Sequence, residues 1–155
     1  MSDIDLPACG IYRTTTPIAG IPADRLVYFH NHGDPGPGLY LPEEWQSNRA
    51  QFSRRGRTLQ DLALAHTLEP LPSEGLYRVV DSFTCCQKQC RTYQEEMLVQ
   101  LGYNGHAQPI LFLPQVVDSM MALPERGNAV EEAVLPKLAA LKVAINREKR
   151  PDESH

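Results

Sequence analysis

Two histidines separated by one residue, His30 and His32, have the types and the spacing best suited to chemistry in this chain. They end an apolar run, 26–29, and precede a segment, 33–38, that is rich in proline and glycine. If the run is a β-strand, side chains two positions apart share a face, and the two imidazoles project together. Imidazole nitrogen is a common zinc ligand, and zinc sites use three or four protein ligands. The pair therefore predicts part of a metal site at the end of a strand.

Three of the four cysteines lie within residues 85–90. Cys86 and Cys90 have the spacing of one half of a zinc site, and His30 and His32 are the donors that could complete it. On a strand these two thiols would lie about 13 Å apart, whereas a helix or tight loop brings them within about 6 Å. We therefore predict these four residues as metal ligands and zinc as the cofactor.

Two alternatives stay open for the cysteine cluster. The thiols could be buried as small apolar side chains, or Lys88 and Arg91 could lower a thiol pKa and support redox or disulfide chemistry. Asp34 is a further candidate ligand for the histidine pair. Cys9 lies in a segment, 1–9, that we expect to be loose, and we therefore expect it to be dispensable.

No catalytic template is present in the sequence. It lacks a Gly-x-Ser-x-Gly motif, a phosphate-binding loop, a dinucleotide fingerprint and a His-Glu-x-x-His motif. We therefore predict no catalytic residue. The alternative is a small metal-dependent enzyme centred on His30 and His32 with a carboxylate such as Asp34, in the manner of a facial triad.

Aromatic residues offer a second kind of site. Tyrosine and tryptophan are enriched among the residues that dominate protein interfaces. Trp45, beside two glutamates, is the best single anchor, and Tyr28 and Tyr40 accompany it as predicted partner-binding residues. The competing interpretation is that aromatics on strands pack into the core.

Composition limits the classes of partner. The net charge of −4 argues against a nucleic-acid partner, although arginines cluster at 49–57. No run of 18 apolar residues is present, so no membrane helix is expected, and the first residues lack the apolar segment of a secretory signal. We therefore expect a cytoplasmic protein with reduced thiols and another protein as its partner.

The pattern of turns predicts many short elements. Thirteen prolines punctuate the chain of 155 residues, which is the length of one domain. Apolar alternation predicts strands, and helical spacing after cap-like residues predicts short helices. The predicted strands are 10–16, 26–29, 39–41, 75–81, 97–103 and 109–114; the predicted helices begin at Pro42, Thr58, Gln115 and Asn128, the last continuing over 135–145 unless 141–145 is a closing strand.

The predicted fold is mainly β, of the α+β kind: a small antiparallel β-barrel or curled sheet with short helical decorations. Its organisation is a loose leader over 1–9, a single β-rich domain over 10–145 and a polar tail over 146–155. With no complete catalytic set, the leading hypothesis is a non-catalytic cytoplasmic module that binds another protein and is stabilised by a structural metal.

Overall fold

The computed structural model describes residues 5–33, 36–85 and 91–142. This part of the chain is mainly β with antiparallel sheets, as the sequence predicted, and it contains two short 3₁₀ helices. The strands are β1 (Gly10–Arg13), β2 (Leu26–His30), β3 (Gly38–Tyr40), β4 (Pro42–Gln46), β5 (Arg49–Phe52), β6 (Arg57–Thr58), β7 (Glu69–Pro70), β8 (Gly75–Val79), β9 (Phe83–Thr84), β10 (Thr92–Tyr93), β11 (Leu98–Tyr103), β12 (Pro109–Phe112), β13 (Gln115–Val117), β14 (Met120–Ala122), β15 (Asn128–Ala129) and β16 (Leu138–Ala140).

The first sheet has the strand order β6-β3-β2-β1-β7. β2 and β3 are antiparallel, with Tyr28 opposite Tyr40 and His30 opposite Gly38, which confirms the predicted pairing across the proline-glycine turn. On its other side β2 pairs with β1, and Gly10 lies opposite Phe29. The end of β2 that carries His30 therefore lies beside the start of β1.

The second sheet has the order β15-β12-β11-β8-β16. β11 and β12 form the predicted pair around Asn104-Gly105, and the register Tyr103 to Pro109 leaves a five-residue loop, 104–108, between them. β8 pairs with the opposite edge of β11. β11 is buried on both faces from Val99 to Tyr103, which accounts for its mostly apolar sequence without strict alternation.

Two apolar clusters form the core. Alternation along β2 divides its side chains between them, since Val27 and Phe29 belong to the smaller cluster and Leu26 to the larger. Each fully buried apolar side chain of this size contributes about 1.5–3 kcal/mol relative to exposure. Arg13 of β1 links the first sheet to the second 3₁₀ helix, Glu132–Lys137. Its side chain, 12% exposed, pairs with Glu69 of β7 and with Glu132.

Two of the predicted helices are wrong. The segment that begins at Pro42 forms the hairpin β4–β5, and the segment that begins at Gln115 forms the hairpin β13–β14. The spacing of Trp45, Asn48 and Phe52 fits a helix, but Ser47 and Asn48 have φ of 51° and 67°. Positive φ at two consecutive residues reverses the chain in a hairpin turn and ends helical hydrogen bonding.

The other two predicted helices are shorter than expected. The first 3₁₀ helix, Leu62–Thr67, is capped by Asp61, whose carboxylate accepts the Ala63 N–H at 3.1 Å. The second, Glu132–Lys137, contains Pro136 and leads directly into β16, so the predicted continuation of the helix is wrong over 138–142. A strand does close this region, earlier than the alternative placed it, and residues 143–145 lie outside the described residues.

Neither a closed barrel nor a membrane-spanning helix is found in the part of the chain that the structure describes. The sheets remain separate, so the barrel stays a prediction. None of the helices within 5–33, 36–85 and 91–142 is both long and apolar enough to cross a membrane. The division into leader, domain and tail also stays a prediction.

Candidate metal centre

The two predicted histidines lie side by side. His30 is the last residue of β2 and half-buried, and His32 follows in the exposed turn. Their ring centroids are 4.0 Å apart, with an angle of 46° between the planes. Gly33 has φ of +134°, and a Cβ built there would lie 3.3 Å from the His30 ring. Glycine therefore lets the chain turn closely around the imidazole pair.

Cys9 is the third member of the group. Its Sγ lies 3.5 Å from His30 Nδ1 and 3.9 Å from His32 Nδ1. One ligand atom from each of the three residues lies within 4.8 Å of the other two, which is close enough to hold a metal ion. The sequence did not place Cys9 among the predicted ligands, whereas the structure places it beside the histidine pair. Its dispensability stays a prediction.

The separation of sulfur and nitrogen suits tetrahedral coordination. Zn–S bonds are about 2.3 Å and Zn–N bonds about 2.0–2.1 Å, so a tetrahedral ion separates these two ligands by about 3.6 Å. The 3.5 Å between Cys9 Sγ and His30 Nδ1 matches this edge. His32 would need to approach by a few tenths of an ångström or to ligate through Nε2.

Asn31 contacts two of the three ligands, Cys9 and His32. Its backbone N–H donates to Cys9 Sγ at 3.3 Å, and its Nδ2 donates to the Pro7 carbonyl at 3.1 Å. Its Oδ1 lies 3.2 Å from the Cys9 thiol and 2.7 Å from His32 Nδ1. Because this amide oxygen only accepts, His32 Nδ1 carries the proton and Nε2 keeps a lone pair. Asn31 thus orients His32 as the outer partners of metal-bound histidines do.

Tyr12 fixes the segment that carries Cys9. Its hydroxyl donates to the Ala8 carbonyl at 2.6 Å. Burial, and to a smaller extent the charge of nearby Cys9, raises the pKa of Tyr12. The hydroxyl therefore remains a proton donor across the physiological range and holds the backbone directly before Cys9 against β1.

The remaining predicted ligands lie outside the described residues. The ranges that the structure does not describe include 34–35 and 86–90, which contain Asp34, Cys86 and Cys90. The contribution of these three residues to a metal site therefore stays a prediction. Sequence reasoning missed Cys9 because strand pairing, rather than spacing in the sequence, brings it to the site. The register of β1 and β2 places Gly10 opposite Phe29, and continuing it by one residue places Cys9 opposite His30.

The three predicted partner-binding aromatics differ in exposure. Trp45 is 40% exposed and donates its indole N–H to the Tyr103 carbonyl at 2.8 Å. Tyr28 is half-buried, with its ring 5.8 Å from that of Phe52. Tyr40 is half-buried over Gly56, where a Cβ would lie 2.6 Å from its ring. Their role in partner binding stays a prediction.

Another exposed surface lies on the segment that begins at Gln115, which the sequence wrongly predicted to be a helix. We call the hairpin formed by β13 and β14, 115–122, the apolar hairpin. Its four large apolar side chains are exposed: Val116 by 79%, Val117 by 51%, Met120 by 73% and Met121 by 54%. Exposed apolar groups of this kind often mark interaction sites.

No protein-family model, curated protein or solved structure matches the chain. Function must therefore be argued from the two features that the geometry provides, the Cys9–His30–His32 group and the apolar hairpin.

Proposed function

We propose that this protein is a cytoplasmic, non-catalytic module that binds another protein through the apolar hairpin. The observation that supports the proposal is the exposure of apolar side chains on both faces of one hairpin. Val116 lies opposite Met121 on one face, and Val117 lies opposite Met120 on the other. An isolated two-stranded hairpin is marginally stable in water, so burial by a partner would stabilise it.

The arrangement of the hairpin indicates what the partner offers. Since both faces are apolar, a flat surface would cover only half of it, whereas an apolar groove would enclose it. The two methionines suit such an insertion because their unbranched thioether side chains adapt to irregular surfaces. On one face the neighbouring Met97, Leu98 and Leu113 extend the apolar surface around Val116 and Met121. We therefore expect a partner protein with an apolar groove that closes over the hairpin.

Photo-crosslinking tests this proposal. Photo-reactive methionine at positions 120 and 121 should form adducts with the partner, and the purified partner should then bind the unmodified protein directly. Replacing Val116 and Met120 together by serine should weaken that binding at least tenfold, because two desolvated apolar contacts are lost. The unfolding temperature should hardly change, since both residues are exposed.

A matched variant makes the result decisive. Gln51, exposed on β5 of the other hairpin, is replaced by serine as the control and should bind as wild type does. Equal binding by the Val116→Ser, Met120→Ser protein would overturn the proposal. A concentration-dependent dimer that the same pair of changes abolishes would identify the groove as that of a second copy.

We further propose that zinc bound by Cys9, His30 and His32 stabilises the module. The ion would tie residues 5–9 to the end of β2, and metal binding that requires a folded site adds to folding stability. Free zinc at 100 times its dissociation constant would add about 2.7 kcal/mol. A reducing cytoplasm fits this role because the Cys9 sulfur must remain reduced in order to bind zinc as a thiolate.

Titration of metal-free protein with zinc tests this part. We expect one zinc per chain and a higher unfolding temperature, with both effects lost in Cys9→Ser and retained in His66→Ala, a control at an exposed histidine outside the group. Unchanged zinc binding by Cys9→Ser would contradict the assignment. Reduced zinc binding by Cys86→Ser or Cys90→Ser would identify the fourth ligand that the sequence predicted.

A small metal-dependent enzyme is the second candidate, and one observation favours it. Three protein ligands, one of them the exposed His32, leave a fourth position for water or substrate, as in catalytic zinc sites. Cobalt substitution separates the candidates. If thiocyanate changes the visible spectrum of the cobalt protein, the position is open and an enzyme is favoured; an unchanged spectrum favours a closed structural site.

A further inference from the structure

The apolar hairpin carries two adjacent methionines whose side chains are open to solvent. Met120 is 73% exposed and Met121 is 54% exposed. The thioether sulfur of an accessible methionine reacts with peroxides and becomes a sulfoxide, which converts a flexible apolar side chain into a polar one. The valines on the partner strand have no atom that reacts in this way. The proposed binding surface therefore contains two groups whose polarity an oxidant can change.

Met97 provides a contrast within the same molecule. It is half-buried and packs against the larger apolar cluster. Its Sδ also accepts a hydrogen bond from the backbone N–H of Gln94 at 3.0 Å. This bond engages a lone pair of the sulfur, and the reaction needs such a lone pair to attack the peroxide. Met97 should therefore react more slowly than Met120 and Met121.

The two exposed methionines lie on opposite faces of the hairpin. Consecutive residues of a strand project to opposite sides, and the register places Met120 opposite Val117 and Met121 opposite Val116. Oxidation of both residues therefore adds one polar group to each face. An apolar groove that encloses the hairpin would then have to bury both sulfoxide oxygens, and burial of a polar group without a hydrogen-bond donor is unfavourable.

We propose that Met120 and Met121 form an oxidation site that regulates binding of the partner protein. This inference rests on the binding role proposed above for the apolar hairpin. Oxidation of the two thioethers weakens binding, and reduction of the sulfoxides restores it. Because the partner covers both side chains in the complex, it also protects them, so the free protein is the form that reacts.

Both directions of this switch are chemically balanced. In the forward step, hydrogen peroxide transfers one oxygen atom to the sulfur as the O–O bond breaks, and its other oxygen leaves as water with both protons. The sulfur loses two electrons and the peroxide gains them. In the reverse step, a methionine sulfoxide reductase uses a dithiol as the electron donor; the sulfoxide oxygen leaves as water and the dithiol becomes a disulfide.

Peptide mapping by mass spectrometry after brief treatment with hydrogen peroxide tests the site without any partner. We expect Met120 and Met121 each to gain one oxygen at least about fivefold faster than Met97, because they are more accessible. The unfolding temperature should hardly change, and retention on a phenyl-substituted resin should fall as the exposed apolar surface becomes polar. Equal oxidation rates at the three methionines would overturn the proposal.

Binding to the partner isolated by crosslinking tests the regulation. Peroxide-treated protein should bind at least about tenfold more weakly, and treatment with reductases for both sulfoxide epimers should restore binding. Met120→Leu, Met121→Leu keeps the apolar surface and should bind equally well with and without peroxide. Met97→Leu is the matched control and should lose binding on treatment as wild type does. Both variants retain Cys9, so oxidation of its thiol would not distinguish them.

The outcomes separate this proposal from the one on which it rests. Unchanged binding by peroxide-treated wild type would overturn regulation by oxidation and leave the binding role of the hairpin intact. Loss of binding by treated Met120→Leu, Met121→Leu would also overturn it, because the oxidised group would then lie elsewhere. If the Val116→Ser, Met120→Ser protein binds as wild type does, the binding role itself fails, and the regulation fails with it even where the oxidation rates differ as expected.

Discussion

The β4–β5 hairpin and the apolar hairpin have similar turns and different surroundings. Ser47 and Asn48 have φ of 51° and 67°, and Asp118 and Ser119 have φ of 51° and 65°. Two consecutive positive φ values are typical of the two-residue turns whose twist matches that of the flanking strands. The conformation of the turns therefore explains why both segments form hairpins, but it does not explain why the surroundings of the two hairpins differ.

Hydrogen bonds to the second sheet account for the difference. Asn48 Nδ2 donates to Gln100 Oε1 at 2.9 Å and to the Pro124 carbonyl at 2.8 Å, and Gln100 Nε2 donates to the Ser47 carbonyl at 2.9 Å. Gln100 is only 4% exposed, so these bonds are shielded from water. Every residue of β13 and β14, in contrast, is exposed. Buried hydrogen bonds to its turn therefore hold the β4–β5 hairpin against the second sheet.

The largest effect in this comparison should come from Gly102 on β11. A Cβ at this position would lie 2.7 Å from the Asn48 backbone oxygen, so Gly102→Ala must displace the docked turn. We expect a loss of about 3 kcal/mol in the free energy of unfolding, measured by urea denaturation. Gly105→Ala is the control, because its Cβ would meet Trp45 at an ordinary 3.9 Å. Similar losses in the two variants would contradict the close docking.

The second prediction compares the two turns directly. Asn48→Ala leaves Gln100 Oε1 and the Pro124 carbonyl without their donor and should lower the free energy of unfolding by about 2 kcal/mol. Ser119→Ala, at the equivalent position of the apolar hairpin, should change it by less than about 0.5 kcal/mol. Equal changes would show that turn conformation, rather than docking, determines the cost.

A smaller effect is expected at Trp45. Its indole N–H donates to the Tyr103 carbonyl, whose strand neighbour Pro109 has no N–H to offer. Trp45→Phe removes this donor and should cost about 1 kcal/mol, measured by urea unfolding followed by circular dichroism. Val117→Ala in the apolar hairpin serves as the control and should cost less, because the valine is half-exposed and unanchored. A greater loss from the valine change would reverse the comparison.

The smallest effect concerns pH. Burial raises the pKa of Glu74, whose carboxylate accepts the Ala50 N–H of β5 at 2.9 Å. A raised carboxyl pKa means that the folded state binds more protons than the unfolded state between the two pKa values, so stability falls as pH rises through that window. Glu74→Gln should flatten this dependence in urea unfolding measured over acidic to neutral pH. An unchanged slope would show that Glu74 does not titrate with folding.

The sequence predicted the strands that alternate and lie between strong turn signals. β2, β3, β11 and β12 follow from apolar runs beside Pro-Gly and Asn-Gly steps. The two hairpins were mistaken for helices because Ser47-Asn48 and Asp118-Ser119 lack the glycine that normally marks such turns. Side chains at i, i+3 and i+7 can also belong to two short strands. In the β4–β5 hairpin, the contacts that favour two strands over a helix involve Gln100, about fifty residues away in the sequence.

The candidate metal site was predicted only in part for the same reason. His30 ends β2 and His32 lies in the turn that follows, and two imidazoles so close in sequence are brought together by this local geometry. Cys9 enters through pairing between β1 and β2, which is set by the burial of Val27 and Phe29 across the whole sheet. The spacing of Cys86 and Cys90 predicted them as metal ligands, whereas Cys9 is a single cysteine far from the other ligands in the sequence, so no spacing predicted it.

The smaller apolar cluster has a consequence for the order of events during synthesis. All its members lie between Leu6 and Leu68, whereas the larger cluster draws mainly on residues beyond Tyr77. Domains and subdomains near the amino terminus begin to fold while the remainder is still being translated. Once Pro70 has left the ribosome, every residue of the smaller apolar cluster has been synthesised, and we expect the first sheet to fold at that stage. The face of this sheet that contacts the larger cluster would become covered only after β8, β11 and β12 have emerged.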